Sequence, residues 1–422
     1  LRPPEAVENN ASDAEVCFHE GRSLIYYTGS DQQYAGDLQW ATYDGPLAEL
    51  FESFFDESNP ASSPFSIERS WITEGYDGEM CWVHARGGAI PVAEDDEPNV
   101  VVTMQKLLLS GSDVFYAIHS LETDDGGKTW TEPIEQITLD RSTNPDGTVT
   151  GVCDVTPAWH AATETLLATG HTVMYQNNRV MHVRQRATPY SVYDQASQSW
   201  SPYKLLEMPD LPHFKNAGAG CTQRYDLPNG DVLLPIYFKE PEQPRTSVAV
   251  VRCQFDGETL EYVEHGNEMT CSAVRGMGEP SLTQFGDRFF LTIRNDETGY
   301  VAASDDGLHF DDPIPWTFDD GSPLGSYNTQ QHWLAHSDGL FLAYTRRGAD
   351  NDHIFRHRAP LFLAQVDPEK LCVLRSTEKV LIPERGAQMG NFGAAAISEG
   401  ESWVTAYEYM SADTPRARGA DG

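Results

Sequence analysis

Short apolar runs separated by tight polar turns recur along the whole chain. Seven times a strand-like segment, a turn and a second strand-like segment ending on a polar residue follow one another. The turns are Glu20-Gly21, residues 94–97, residues 162–164, Asn229-Gly230, Gly286-Asp287, Asp338-Gly339 and Glu399-Gly400. The segments after them read SLIYY, NVVVTMQ, TLLATGH, DVLLPIY, RFFLTIR, LFLAYTR and SWVTAYE. Runs rich in Val, Ile, Tyr and Phe, bounded by Gly, Pro, Asn and Asp, predict antiparallel strands. Their repetition predicts stacked or ring-closed sheets. The expected fold class is all-β, a seven-bladed β-propeller, with a six-bladed propeller as the alternative if the first repeat only supplements an outer edge. The N-terminal stretch is expected to complete the last blade, so that residues 1–422 form one domain with the ring closed between N- and C-terminal strands. Helical periodicity is confined to apolar positions 47, 50, 51, 54 and 55, which predict a short amphipathic helix in an insertion over 45–60.

Charge narrows the partners. Lys and Arg number 29 against 64 Asp and Glu, a net charge of −35. Phosphate backbones require basic surface, so nucleic acid is excluded as a partner. No run approaches the ~18 apolar residues of a membrane helix, so no membrane span is expected. Residues 1–13 are polar and Pro-containing and do not resemble a signal peptide; an extracellular or periplasmic setting is the expected one. The seven cysteines include no C-x-x-C pair and read as small buried hydrophobes, with a Cys253–Cys271 bridge left open.

In a propeller the innermost strand starts, and the second strand ends, at one face. Second-strand ends give Tyr27, Gln105, Lys106, His171, Tyr237, Lys239, Arg294, Arg346, Arg347, Tyr407 and Glu408. First-strand starts give Cys81, Trp82, Asp154, Asn216, Glu279, Asn328, Gln330, Gln331, His332 and Asn391. This rim is locally basic in an acidic chain, and Arg suits bidentate capture of a carboxylate. The expected ligand is an anionic polysaccharide or oligosaccharide bearing an acidic sugar. Substrate binding is expected from Arg294, Arg346, Arg347, Lys239, Asn216, Gln331, His332, Glu279 and Glu408. His171, Tyr237 and Arg252 are the catalytic candidates. Elimination at a uronate needs a base, an acid and a cation for the carboxylate, which His, Tyr and Arg supply without a cofactor or a catalytic metal.

Two features carry a family resemblance. Thr123-Asp-Asp125-Gly-Gly127-Lys-Thr129-Trp130 fits the Asp-box pattern S/T-x-D-x-G-x-T-W, residues 303–310 around Asp305 are a degraded copy, and Ser199-Trp200 keeps the end of a third. This resembles the sialidase superfamily of β-propellers, in which the box is structural and lies away from the active face. The order His171, Tyr237, Arg252 looks like the propeller-fold ulvan lyases and the related rhamnose–glucuronate lyases and rhamnosidases. That resemblance implies His and Tyr as base and acid and an Arg on the uronate; some relatives hold a structural metal. Sialidases use three Arg, a Tyr–Glu pair, an Asp acid and an Arg-Ile-Pro motif, which this chain lacks. Arg294 and Arg346 fit two of those Arg roles and Tyr407-Glu408 the pair. A polysaccharide lyase is the leading expectation, a sialidase-like or rhamnosidase-like hydrolase the second and a non-catalytic glycan-binding propeller the third.

Overall fold

The computed structural model describes residues 65–92, 97–111, 113–240, 242–273 and 275–409, with the backbone of strands Asn10–His19, Arg22–Ser30 and Gly36–Tyr43. The helix expected over 45–60 and the Tyr27 side chain lie outside the described residues. The chain divides into two compact units, 1–66 and 67–422. In the first, the three strands pair antiparallel in chain order.

The second unit is built from antiparallel sheets laid down one after another. They begin with Met80–Ile90, Val149–His160, Ala217–Gly218 leading to Asp231–Phe238, Gly278–Phe285, His332–His336 and Gly393–Ala396. Where the turn is among the described residues, the next strand returns by a hairpin at a turn expected from sequence, for example His160 to Thr165 and Phe285 to Arg288. Each sheet packs on the next, and Gly393–Ala396 packs on Met80–Ile90, so the succession closes on itself through six positions within 67–422. This is the all-β propeller expected from the repeats; among the described residues it runs through six sheets, the alternative count, rather than the expected seven.

Packing between sheets explains the composition of the strands. Asp231–Phe238 is buried at every residue because a neighbour covers both of its faces. Its side chains therefore join two cores: Leu234 and Ile236 pack with Leu167, while Leu233 and Tyr237 pack with Leu291. Trp200, Trp316 and Trp333 are fully buried wedges. Full burial of one large apolar side chain contributes about 1.5–3 kcal/mol. Cys81, Cys153, Cys221, Cys253 and Cys372 are buried free thiols, and Cys271 is free and half-buried, so Cys253 and Cys271 are not bridged.

The outer hairpins share an aspartate turn. Asp125 accepts from the Lys128 and Thr129 amides at 3.0 and 2.9 Å and from the Thr129 hydroxyl at 2.7 Å. Asp194, Asp256 and Asp367 accept from amides two and three residues onward. In the copy near 305 the structural carboxylate is Asp306, which accepts from the Leu308 and His309 amides at 2.8 and 2.7 Å. Asp305 is exposed and only 3.9 Å from Arg288. The register expected from sequence is corrected by one residue.

A second repeat lies at the starts of the inner strands. His84, Asp154, Cys221, Glu279, Asn328 and Asn391 all have φ between 35° and 60°. These are left-handed conformations that non-glycine residues rarely adopt, and they gather at functional sites. One such residue lies within or beside the innermost strand of each of the six sheets. At three of them the ladder shifts register, at Val83/Arg86, opposite Asp154 at Thr169/His171, and at Gly278/Ser281.

Candidate active site

The six left-handed residues meet around the axis. His84 Nδ1 lies 3.0 Å from Asp154 Oδ1, and its Nε2 lies 3.2 Å from Asn391 Nδ2. The Cys221 amide donates to the Asp154 carbonyl at 3.4 Å. Arg294 pairs with Glu279 and donates to Asn328 Oδ1 at 2.9 Å. Neighbouring sheets thus share one polar centre.

Asp154 is its anchor. It is 4% exposed and accepts from Arg86 Nη2 at 2.9 Å. Burial opposes its charge, but His84, Arg86 and His171 hold the carboxyl well below the usual range. Its other oxygen lies 3.2 Å from His171 Nε2. His171 Nδ1 is 3.1 Å from the Tyr237 hydroxyl. Burial lowers the His171 pKa more than Asp154 raises it, so the ring is neutral at pH 7. Nε2 makes no aligned hydrogen bond, so its approach to Asp154 is electrostatic; an imidazole protonated there can accept the Tyr237 proton at Nδ1. The three residues form a continuous Asp154–His171–Tyr237 line. Gly220 makes room for it: a Cβ there would stand 2.7 Å from His171 Cδ2.

Tyr237 also forms one wall of a cleft of about 210 Å³, with Asn216, Lys239, Glu279 and Arg294. Cations dominate its lining: Arg184, Arg186, Lys239, Arg275 and Arg294, with His182 beside them, face Glu279 and Asp296. The Arg186 guanidinium stacks on the Tyr237 ring at 4.5 Å. Burial pushes the Tyr237 pKa up, opposed by Arg186. Burial and then Arg186, Arg184 and Arg275 push the Lys239 ammonium down. Such mutual repulsion is relieved by an anion. Asn216 Oδ1 and Glu279 Oε2 are buried and lack a hydrogen-bond partner in the protein. In a chain of net charge −35 the cleft is a local concentration of positive charge.

The structure brings together His171, Tyr237, Asn216, Lys239, Glu279 and Arg294 from the expected set, and separates the rest. Arg252 lies opposite Leu233, whereas Tyr237 lies opposite Val248. Four residues along a strand is about 13 Å. Arg252 is held by Asp231 at 2.9 Å and by Glu264, an outer ion pair away from the cleft. Arg186, not Arg252, is the guanidinium that stacks on Tyr237 and lines the cleft. Arg346 is turned to Glu378 at 2.6 Å and packs on Phe362. Arg347 stacks on Tyr327. Glu408 pairs with Arg385. Gln331 bonds Thr292 and His332 bridges Ser281 and the Phe392 carbonyl, both in the interior. Each of these polar side chains found a nearer partner than the mouth.

Of three further residues around the axis, sequence reasoning missed His84, set Arg86 aside as out of register, and noted Arg358 only within the His- and Arg-rich run 353–358 that could reach over the mouth. Arg86 and His84 sit in a segment whose ladder is broken, and Arg358 lies at the end of the 353–358 loop. Arg358 donates to the Asn328 carbonyl at 2.6 Å. Gly390 is inserted between Arg358 and Tyr407: a Cβ would stand 3.0 and 3.1 Å from them. Tyr407 is half-buried, and desolvation raises its pKa well above normal. Among the described residues no group of three or more His, Cys, Asp or Glu side chains is arranged to hold a metal ion, and no helix is long and apolar enough to cross a membrane.

No family model and no curated protein matches the chain. Solved structures do. A Hadza microbial sialidase superposes with a TM-score of 0.55 at 11% identity, over 77% of this chain and 65% of its own. A Trypanosoma rangeli sialidase bound to a difluorinated nononic acid gives 0.54 at 13%, over 77% and 52%. The chain therefore spans about half to two thirds of those two proteins. The leech intramolecular trans-sialidase gives 0.53 at 11%, over 93% of this chain and 78% of its own. At such identities the likeness shows the fold, a propeller of the sialidase type.

Proposed function

We propose that this protein is a carbohydrate-active enzyme that cleaves a glycosidic bond beside an acidic sugar, by β-elimination at a uronate. The observation that carries the reading is the 3.1 Å contact between the Tyr237 hydroxyl and His171 Nδ1 at the edge of a cation-lined cleft. Arg186 and Lys239 receive the carboxylate, and withdrawal of its charge makes the C5 hydrogen more acidic. Tyr237 passes its hydroxyl proton to His171 as its oxygen takes the C5 proton. The freed electron pair forms the C4–C5 double bond while the C4–O bond breaks. Tyr237 then protonates the leaving oxygen and recovers its proton from His171. No proton or electron is left over, and Asp154 stabilises the transient imidazolium.

A second reading, hydrolysis of a sialidase-like kind, is favoured by a separate observation. Arg86, Arg294 and Arg358, with Glu279 and Tyr407, lie around the axis and interact electrostatically. The likeness to sialidase structures supports a glycosidase-like propeller in the same way.

A panel of uronate-containing and sialylated glycans, read for new reducing ends and for near-ultraviolet absorbance, separates the two. Reducing ends with absorbance on the uronates support elimination. Reducing ends without absorbance, or release of sialic acid, overturn it in favour of hydrolysis. Binding with no turnover on any member overturns both and leaves a glycan-binding propeller.

A further inference from the structure

Beside the cleft lies a larger groove of about 570 Å³ that the reaction does not use. It is lined mainly by the second sheet of the ring and reaches the start of the third at Phe214–Ala217. One side is the 142–150 loop with Thr172; the other is the segment from Tyr203 to Ala217. Arg186 lines both cavities. Thr172 directly follows His171 in the chain and its hydroxyl accepts from the Ala187 amide at 2.9 Å. Lys215 in the groove directly precedes Asn216 in the cleft. The two cavities therefore meet at the Arg186–Tyr237 stack.

Their chemistry differs. The cleft has a surplus of cations. In the groove, Lys215 lies 3.7 Å from Asp210 and Asp146 is occupied by Thr148, so apart from Arg186 no unpaired cation is on offer. One wall carries the hydroxyls of Ser142, Thr150 and Thr172, and the other the apolar faces of Tyr203, Leu205 and Met208. Leu205 is 47% exposed on a two-residue strand. An apolar face opposite a hydroxyl-binding edge matches a neutral pyranose, which has a C–H face and a hydroxyl rim. The volume of the groove falls within the usual range for ligand pockets, about 300–1,000 Å³, whereas the cleft alone falls below it.

We infer that the groove is an extended subsite that binds neutral sugar units adjoining the acidic sugar, so that the protein acts within chains rather than on isolated end units. This rests on the proposed carbohydrate reading of the cleft. It is tested with a size series of rhamnose–glucuronate oligosaccharides, dimer to hexamer, against the native protein, Tyr203→Ala and Ser142→Trp. Neither residue belongs to the cleft. Affinity by calorimetry and kcat/KM by product formation are both recorded. The native protein is expected to bind hexamer at least 10-fold more tightly than dimer. Both variants are expected to erase most of that difference while leaving dimer unchanged. Equal affinity for dimer and hexamer, or variants that weaken both alike, overturns the groove assignment. Tight hexamer binding that both variants abolish, without cleavage, upholds the groove and sinks the cleavage reading instead. Absence of binding at any length overturns both.

Discussion

The Tyr237 hydroxyl lies 3.1 Å from His171 Nδ1 across two neighbouring sheets, 66 residues apart in sequence. A propeller makes that contact ordinary, because the second strands of adjacent sheets end at the same face. Removing the hydroxyl while keeping the ring isolates its chemistry. Tyr237→Phe is expected to lower kcat by about two to four orders of magnitude, the usual range for a positioned acid–base group. His171→Ala is expected to do the same, and the double variant to be no worse than either single one, because the two act as a unit. Turnover of each variant on the best uronate substrate checks this. Additive losses contradict it.

Arg186 and Arg252 are expected to behave oppositely. Loss of a charge-assisted hydrogen bond costs about 1.5–3 kcal/mol, so Arg186→Ala is expected to raise KM about 10- to 100-fold. Arg252→Ala breaks an outer ion pair and is expected to leave KM and kcat unchanged, with a stability loss of about 0.2–1 kcal/mol. Steady-state kinetics and a denaturant titration on both variants decide it.

The pH dependence of turnover follows from His171. Its pKa is lowered by burial, so the neutral base persists below pH 6.5 and the acid limb is expected under that value. Asp154 raises the pKa, so Asp154→Asn is expected to move the limb further toward acid. That variant also strands Arg86, and breaking a buried pair costs about 3–5 kcal/mol. A limb above pH 6.5 in the native protein would remove His171 as the neutral base.

Acid stability involves two other histidines. Burial lowers His84 to about 4 and His332 to about 3, from 6.5. The unfolded chain binds protons that these folded groups refuse. Stability is therefore unaffected above pH 6.5 and falls as pH drops, through about 4 for His84 and about 3 for His332. At 1.36 kcal/mol per pKa unit the losses are of order ~3 and ~5 kcal/mol. Urea midpoints from pH 7 to 3 check the slope. His332→Gln is expected to flatten its lower part.

The aspartate turns give a structural control. Asp306→Ala removes the acceptor of two amides and one hydroxyl and is expected to lower the melting temperature. Asp305→Ala is expected to leave it unchanged. Neither is expected to change turnover. Thermal melts of the two variants are sufficient.

Much of this was legible in the chain because strands impose a simple register. Apolar runs and turns located the hairpins, and reading their ends gave His171, Tyr237, Asp154, Glu279, Asn328 and Asn391. What escaped depended on direction. Arg252 follows Tyr237 at a suggestive distance in sequence, yet the antiparallel pairing carries it to the other end of the strand. Arg346 ends its strand at the right face but turns to Glu378. Arg186 lies in a connection with no periodicity; its signal was the basic run Arg184-Gln-Arg186 in an acidic chain. Left-handed backbone at His84 and Cys221 has no signature in composition. The slip from Asp305 to Asp306 came from a turn one residue shorter than that at Asp125.

Cleavage in water enriched in heavy oxygen tests the central claim most directly. Elimination adds no water, so the products of a uronate oligosaccharide are expected to sum to the substrate mass, without label and with one unsaturated end. Products heavier by one water and carrying the label would contradict it and move the chemistry to hydrolysis around Glu279 and Tyr407.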